Sequence, residues 1–172
     1  MHRRAVLALA TSAASLTLVS VNGCGFALRK APNFAFTTLY SALAESSPLG
    51  VELRRSLEAT GRVRVIVDAR RLAEAQVVLE VLQDQREKVV LSLNSAGQVR
   101  EFQLRLRFSF RLRTLAGKEL IPVSEIALQR DISFNESAVL AKEAEEGLLY
   151  RDMQSDIVQQ ILRRLAAVTS LE

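Results

Sequence analysis

Between Gln76 and Phe134 the chain is dominated by alternation of apolar and polar residues, the period of a half-buried strand. The clearest stretch puts Phe102, Leu104, Leu106, Phe108, Phe110 and Leu112 on even positions. Gln103, Arg105, Arg107, Ser109, Arg111 and Arg113 take the odd ones. Successive side chains of a strand point to opposite faces, so this stretch specifies one buried face and one polar face. Upstream, Val77, Leu79 and Val81 share parity with Val89, Leu91 and Leu93, with polar residues between. One long strand fits, and so do two strands with a turn near Gln83–Lys88. Asn94-Ser95-Ala96-Gly97 and Ala116-Gly117-Lys118 read as turns. Leu120–Val123 and Ile126–Phe134 follow with a parity break near Ser124, where Pro122 restricts pairing.

Two segments have the helical period instead. Ser47-Pro48 is a helix start, with Ser47 as N-cap and Pro48 in the first turn. Leu49, Leu53 and Leu57 make its apolar stripe, and Gly61 is placed to close it. From Ser137 onward, Leu149, Met153, Ile157, Ile161 and Leu165 form a second stripe, flanked by Leu148, Val158, Leu162 and Val168. Glu143, Glu145 and Glu146 near its start and Arg163 and Arg164 near its end complement the helix dipole. The apolar stripe is not sustained as heptads, which argues against a coiled-coil arm. Between the helices, Val63, Val65 and Val67 alternate with Arg62, Arg64 and Asp68 as a short strand. Cys24–Thr38 reads as an extended lead-in, with Phe26 and Leu28 on one side of a short strand over Gly25–Arg29 that Pro32 ends or bends. The expected fold is α+β: a two-layer sandwich with both helices on one face of a mainly antiparallel four-stranded sheet.

The first residues follow a different logic. Arg3 and Arg4 precede Ala5–Val21, which carries no charge and leads into Asn22-Gly23-Cys24. That is the basic, apolar, small-residue order of a secretory signal. As a membrane span the stretch sits at the short end of the roughly 17–25 residues required, and it is rich in Ala, Ser and Thr. Val21-Asn22-Gly23-Cys24 resembles a bacterial lipobox, with Asn22 departing from the usual small residue. The expected division is a signal peptide over 1–23 and one lipid-anchored domain over 24–172. Cys24 is the only cysteine, so it has no internal disulfide partner. Gly25 stands where lipoproteins kept in the inner membrane typically carry Asp, which favours the outer membrane.

Removal of residues 1–23 changes the chemistry that remains. Lys plus Arg falls from 23 to 21 against 19 Asp plus Glu, a net charge of +2, so no nucleic-acid partner is called for. His2 is the only histidine and leaves with the signal, while Cys24 would be acylated. Ser-His and Cys-His nucleophiles and zinc sites built on His or Cys are thereby excluded. With 7 glycines and no glycine-rich phosphate loop, no cofactor is implied and an enzyme is not expected. A hydrolase using carboxylates alone lacks a paired-carboxylate signature.

The chain resembles the LptE family of lipopolysaccharide-assembly lipoproteins. The matching segments are Gly23–Arg29, Ala96–Leu104, Arg130–Phe134, Val139–Glu146, Met153 and Gln160–Leu165. The resemblance implies a plug inside the outer-membrane β-barrel LptD that helps the barrel assemble and binds lipopolysaccharide for delivery to the outer leaflet. It places the protein on the periplasmic side of the outer membrane, held by N-terminal acyl chains. Lys142, in the matching Ala-Lys-Glu stretch, and Arg100, at the hairpin tip, are the candidate lipopolysaccharide contacts. Arg105, Arg107, Arg111 and Arg113 form a basic face that is either solvated or turned to the polar barrel lumen. An auxiliary lipoprotein of another periplasmic lipid-transport system is the competing class, and it would need an apolar lipid-carrying groove. Cys24→Ala should abolish acylation and leave an unprocessed or soluble precursor. Mass spectrometry of the mature N-terminus checks this, and an unmodified Cys24 in the parent protein would remove the lipoprotein reading.

Overall fold

The computed structural model describes residues 32–172; Cys24, the signal segment and the Gly25–Arg29 lead-in lie outside the described residues. The elements run β1 (Thr38–Ser41), α1 (Pro48–Glu58), β2 (Arg64–Ile66), β3 (Val77–Leu93), β4 (Val99–Thr114), β5 (Glu119–Ser133) and α2 (Val139–Ala166). Short 3-10 turns at Ala69–Glu74 and Glu136–Ala138 lead into β3 and α2. Among the described residues no helix is long and apolar enough to cross a membrane.

The sheet has five strands in the order β2-β1-β3-β4-β5, and it is mixed rather than a four-stranded antiparallel sheet. β3, β4 and β5 form the expected antiparallel meander. The addition is β1, which pairs parallel to both β2 and β3. Parallel neighbours require a crossover, and α1 supplies it between β1 and β2. Thr38-Leu39-Tyr40-Ser41 is too short to show a period, so nothing in its own residues announces a strand. β2 is likewise only three residues long, and Val63 and Ile66 are its buried anchors rather than an alternating valine set.

β4 matches its alternation. Leu104, Phe108, Phe110 and Leu112 are completely buried beneath the helices. β3 is one strand, not two, and its parity is broken. Val81 pairs with Phe110 but Gln83 pairs with Ser109, leaving Leu82 as an extra residue. Before this bulge the odd positions Val77, Leu79 and Val81 share the helix-covered face with β4's even residues. After it Asp84, Arg86 and Lys88 do so, while Gln83, Gln85, Glu87 and Val89 join the open face. A second shift at Leu91 reverses the parity again. The shared parity of Val77 and Val89 therefore does not survive in the fold. β5 makes its own adjustment: Ser124 faces Phe110 and Ile121 faces Leu112, so the break falls at Pro122-Val123.

Ser47 caps α1 by accepting from the Gly50 amide, and Leu49, Leu53 and Leu57 are buried. The helix ends at Glu58 with Ala59 as its C-cap, so Gly61 (φ +68°) lies one position beyond the expected closing position, which Thr60 takes. In α2 the buried set is Tyr150, Met153, Ile157, Val158, Ile161, Leu162 and Leu165, whereas Leu148 is 54% exposed. A strict four-residue step over-rotates a helix of 3.6 residues per turn, which is why the inward residue one turn before Met153 is Tyr150. Its hydroxyl donates to the Glu87 carbonyl at 2.5 Å. The acids at 143, 145 and 146 fall after the first turn, which contains no acidic residue, and Ala138 offers no side-chain cap. Their role is not dipole compensation. Glu146 instead accepts from Lys88 at 2.7 Å and lies 3.8 Å from Arg86.

The core has two parts. A large cluster joins α1, the second half of α2 and the β1 end of the sheet, around Leu39, Leu53, Leu79, Phe108 and Ile161. A smaller one, Leu104, Ile132, Tyr150 and Met153, lies beneath the first half of α2. Phe108→Asp should cost several kcal/mol, since it exchanges a fully buried ring for an unpaired carboxylate. Arg107→Asp, on the opposite face, should cost less than about 1 kcal/mol. Thermal melts of the two variants test this order, and its reversal would invert the assigned faces.

Candidate functional site

The end of the sheet far from β1 gathers the residues with ligand-binding chemistry. The β3–β4 turn is fixed by Asn94, whose Oδ1 accepts from the Ala96 and Gln98 amides at 2.9 Å. Gly97, at φ +79°, supplies the left-handed residue the turn requires. At the end of β5, the Phe134 amide donates to the Arg100 carbonyl at 2.7 Å. Asn135 then turns the chain by accepting from the Ser137 amide, and α2 starts back across the sheet.

This route leaves a cavity of about 240 Å³ between β4, β5 and the first turns of α2. Phe102, Ile132, Phe134 and Val139 supply its apolar lining, and Lys88 and Lys142 bring ammonium groups to it. Phe102 and Phe134 meet edge to face, with centroids 5.3 Å apart. Lys88 Nζ lies 4.3 Å from the Phe102 centroid while it pairs with Glu146. Lys142 donates to Ser133 Oγ at 3.0 Å and to Glu145 at 2.9 Å. Its side chain is 22% exposed and is held by these two contacts. Arg100 is exposed and lines a neighbouring hollow of about 160 Å³. Phe134 borders both hollows, so the structure brings the two candidate contacts to the same end of the domain. Lys88, Phe102, Phe134 and Glu146 escaped sequence reasoning. A cation six residues before a turn carries no signal until the Leu82 bulge decides its face.

The arginine row is divided. Arg111 and Arg113 both donate to Glu80 on β3, and these hydrogen bonds, Arg113's first, hold the Glu80 carboxyl below the usual glutamate range. Arg105 Nε donates to Gln103 Oε1 at 2.7 Å, and Gln103 Nε2 donates to Asp131 at 2.9 Å. Arg107 has no ion pair among the described residues. Gln83, Gln85 and Glu87 form a side-chain ladder beside them. The open face is thus a cross-bonded polar surface, and three of its four arginines are held in place. Among the described residues no group of three or more His, Cys, Asp or Glu could hold a metal ion.

The described residues present a cross-bonded polar sheet face and a small hollow in which Lys88, Lys142, Glu143 and Glu146 adjoin aromatic rings, the features of a binding domain, with no catalytic constellation among them. The family model for lipopolysaccharide assembly, LptE, matches residues 36–165, and the chain belongs to that family, which is non-enzymatic. It is 26% identical over 163 residues to the LPS-assembly lipoprotein LptE of Pectobacterium atrosepticum, covering 93% of this chain and 86% of that one. The corresponding protein of Yersinia pestis is 29% identical over 161 residues, covering 91% and 75%. Among solved structures, lipoprotein B of Nitrosomonas europaea is 37% identical with a TM-score of 0.69, covering 83% of this chain and 91% of that one. The rare lipoprotein B of Shewanella oneidensis is 28% identical with a TM-score of 0.61, covering 76% and 93%.

The Glu80 fork has a pH signature. A carboxyl lowered by folding contributes stability above its unfolded pKa, and that contribution is lost as pH falls through the lowered folded value. Because the fork is partly exposed, Glu80→Gln should cost only ~0.5–1 kcal/mol at neutral pH. The variant and parent should converge in strong acid. Melting curves from neutral pH down through the carboxylate range check this, and a constant offset at every pH would refute the linkage.

Proposed function

We propose that the protein is a lipopolysaccharide-assembly lipoprotein of the outer membrane that sits as a plug in an LptD-type β-barrel. In this reading residues 1–23 are a removed signal peptide. The domain from Cys24 is held at the periplasmic side by acyl chains. It supports barrel assembly and binds lipopolysaccharide for delivery to the outer leaflet.

The observation that carries the ligand side is the hollow in which Lys88 and Lys142 adjoin Phe102 and Phe134, with Arg100 close by. Lipopolysaccharide presents phosphates beside acyl chains, so its recognition calls for cations next to apolar surface. Ammonium–phosphate contacts are charge-assisted and stronger than neutral hydrogen bonds. Family membership supports the same reading. The plug side is supported by the open sheet face, since the lumen of a large barrel is wet and polar. The cross-bonded arginines Arg105, Arg111 and Arg113, together with Arg107, suit such a surface. The competing auxiliary lipid carrier fits less well, because the hollows on the helix side, of about 240 and 540 Å³, are lined by charged side chains (Lys88, Lys142, Glu143 and Glu146 in one, Asp84, Arg86 and Arg151 in the other) and are not an apolar lipid-carrying groove.

Neutralising Arg100 and Lys142 together, as Arg100→Gln with Lys142→Gln, should weaken lipopolysaccharide binding about tenfold or more, the loss of one to two charge-assisted contacts. Barrel co-purification should persist. The melt should shift by a few degrees at most, since Lys142 gives up exposed or half-exposed bonds. Binding must be compared at matched ionic strength. Undiminished binding by the folded double variant would remove these residues from the site. Absence of a stoichiometric β-barrel from detergent-solubilised outer membranes would refute the plug.

A further inference from the structure

The cations of the aromatic hollow are already engaged. Lys88 and Lys142 line it against Glu143 and Glu146, so its lining carries no net charge. Lys88 Nζ donates to Glu146 Oε2 at 2.7 Å, and Lys142 Nζ donates to Glu145 at 2.9 Å. Each ammonium group beside the rings therefore has a carboxylate from α2. An incoming anion must take the lysines from these acids before it gains a charge-assisted contact.

The two acids are not equivalent. Glu145 is half exposed and stands three residues from Lys142 on the helix surface, an ordinary neighbour pair. Glu146 is only 17% exposed and reaches from α2 to the sheet, where it takes Lys88 and lies 3.8 Å from Arg86. Further along α2 the sheet-facing positions are Tyr150, Met153 and Ile157, all buried and none charged. A largely covered carboxylate costs desolvation that a leucine in its place would not, and replacing such an ion pair by apolar residues is often stabilising. Packing alone does not account for an acid at position 146.

We propose that Glu146 sets the specificity of the hollow: it holds Lys88 against singly charged anions and yields it to the phosphate monoester of an amphiphile. The inference rests on the ligand-binding reading above and names the group that the hollow selects. A carboxylate ligand would replace Glu146 like for like, and would incur the cost of association without a stronger contact. A phosphate monoester carries about −1.5 to −2 charge at neutral pH and has three acceptor oxygens. It can serve Lys88 and Lys142 together. The resident acids divide that task, Glu146 holding Lys88 and Glu145 holding Lys142.

Size keeps the rest of the ligand outside. At about 240 Å³ the hollow is smaller than the ~300–1,000 Å³ pockets that enclose whole small molecules, so it admits a headgroup and not the chains attached to it. Apolar surface continues from its rim. Val90 pairs across the ladder with Phe102 and is 52% exposed. Leu140, next to the lining residue Val139, is 82% exposed. Acyl chains can lie against these side chains while phosphate occupies the hollow. Inorganic phosphate has no use for that surface, so the site favours phosphate carried by an amphiphile.

The test measures binding of purified lipopolysaccharide to the full-length chain in detergent, with laurate and inorganic phosphate as competitors. Glu146→Gln should tighten binding about fivefold, the upper range for releasing a partly exposed ion pair. Laurate should displace lipopolysaccharide from this variant and not from the parent. Asp152→Asn, the same change of charge on the exposed side of α2, should alter affinity by less than about twofold at moderate salt. Lys88→Gln should remove the gain, so that Lys88→Gln with Glu146→Gln binds no more tightly than Lys88→Gln alone. Thermal melts establish that each variant is folded. If Glu146→Gln does not fold, Glu146→Asp, which withdraws the carboxylate from Lys88, should also tighten binding. A folded position-146 variant without a gain, a gain that persists without Lys88, or an equal gain from Asp152→Asn would overturn the inference and leave the ligand reading standing. So would displacement from the parent by inorganic phosphate or laurate at the concentration of lipopolysaccharide. Failure of the parent to bind lipopolysaccharide would refute the ligand reading, and this inference with it.

Discussion

A strand can bury only one of its faces, and β4 settles which face that is for the whole domain. Its even residues Leu104, Phe108, Phe110 and Leu112 are completely buried, and it is paired on both sides over nearly its full length. Its neighbours must conform to it. β3 does so by inserting Leu82 and Leu91, and β5 by inserting residues around Pro122. Each insertion trades local ladder regularity for a correct inside and outside. The helices follow, since α1 and α2 lie where β4's aromatic residues need cover.

The Leu82 bulge links this constraint to the candidate site. Without it, Gln83, Gln85 and Glu87 would lie under α2, and Arg86 and Lys88 would stand on the open face. With it, Lys88 reaches Glu146 and the Phe102 ring, and Arg86 stacks 3.5 Å from the Tyr150 ring centroid. The cations beside the aromatic hollow and the polar ladder on the opposite face both come from one extra residue. A charged hollow and a polar face are thereby produced from a single strand.

Much of this was legible in the residues. β4's alternation, the Ser47-Pro48 helix start, the turns at Gly97 and Gly117 and the long last helix all follow from local periods and local turn chemistry. What escaped was non-local. Four residues at Thr38–Ser41 become a strand only because β3 and β2 offer partners on both sides, and a parallel pairing leaves no local trace. A bulge is decided by the partner strand, so Leu91 reads as an ordinary member of an alternating run and nothing local marks Leu82 as an extra residue. At the candidate site, Arg100 and Lys142 were reachable through family-like segments. The group that ties Lys88 to the hollow, Glu146, looked like a helix-terminal acid until the sheet placed its partner beneath it.

The short reach of α1 has a further consequence. Over the β1 end, five strands and two helices enclose the large apolar cluster; over the other end, three strands and the first half of α2 enclose only Leu104, Ile132, Tyr150 and Met153. Resistance to local opening scales with such cover, so the domain joins a hard half to a soft one. The hollow of cations and aromatic rings belongs to the soft half. Fluctuations that widen it can proceed without loosening the half where the chain emerges from its N-terminal segment, so the domain can breathe at one end and stay fixed at the other.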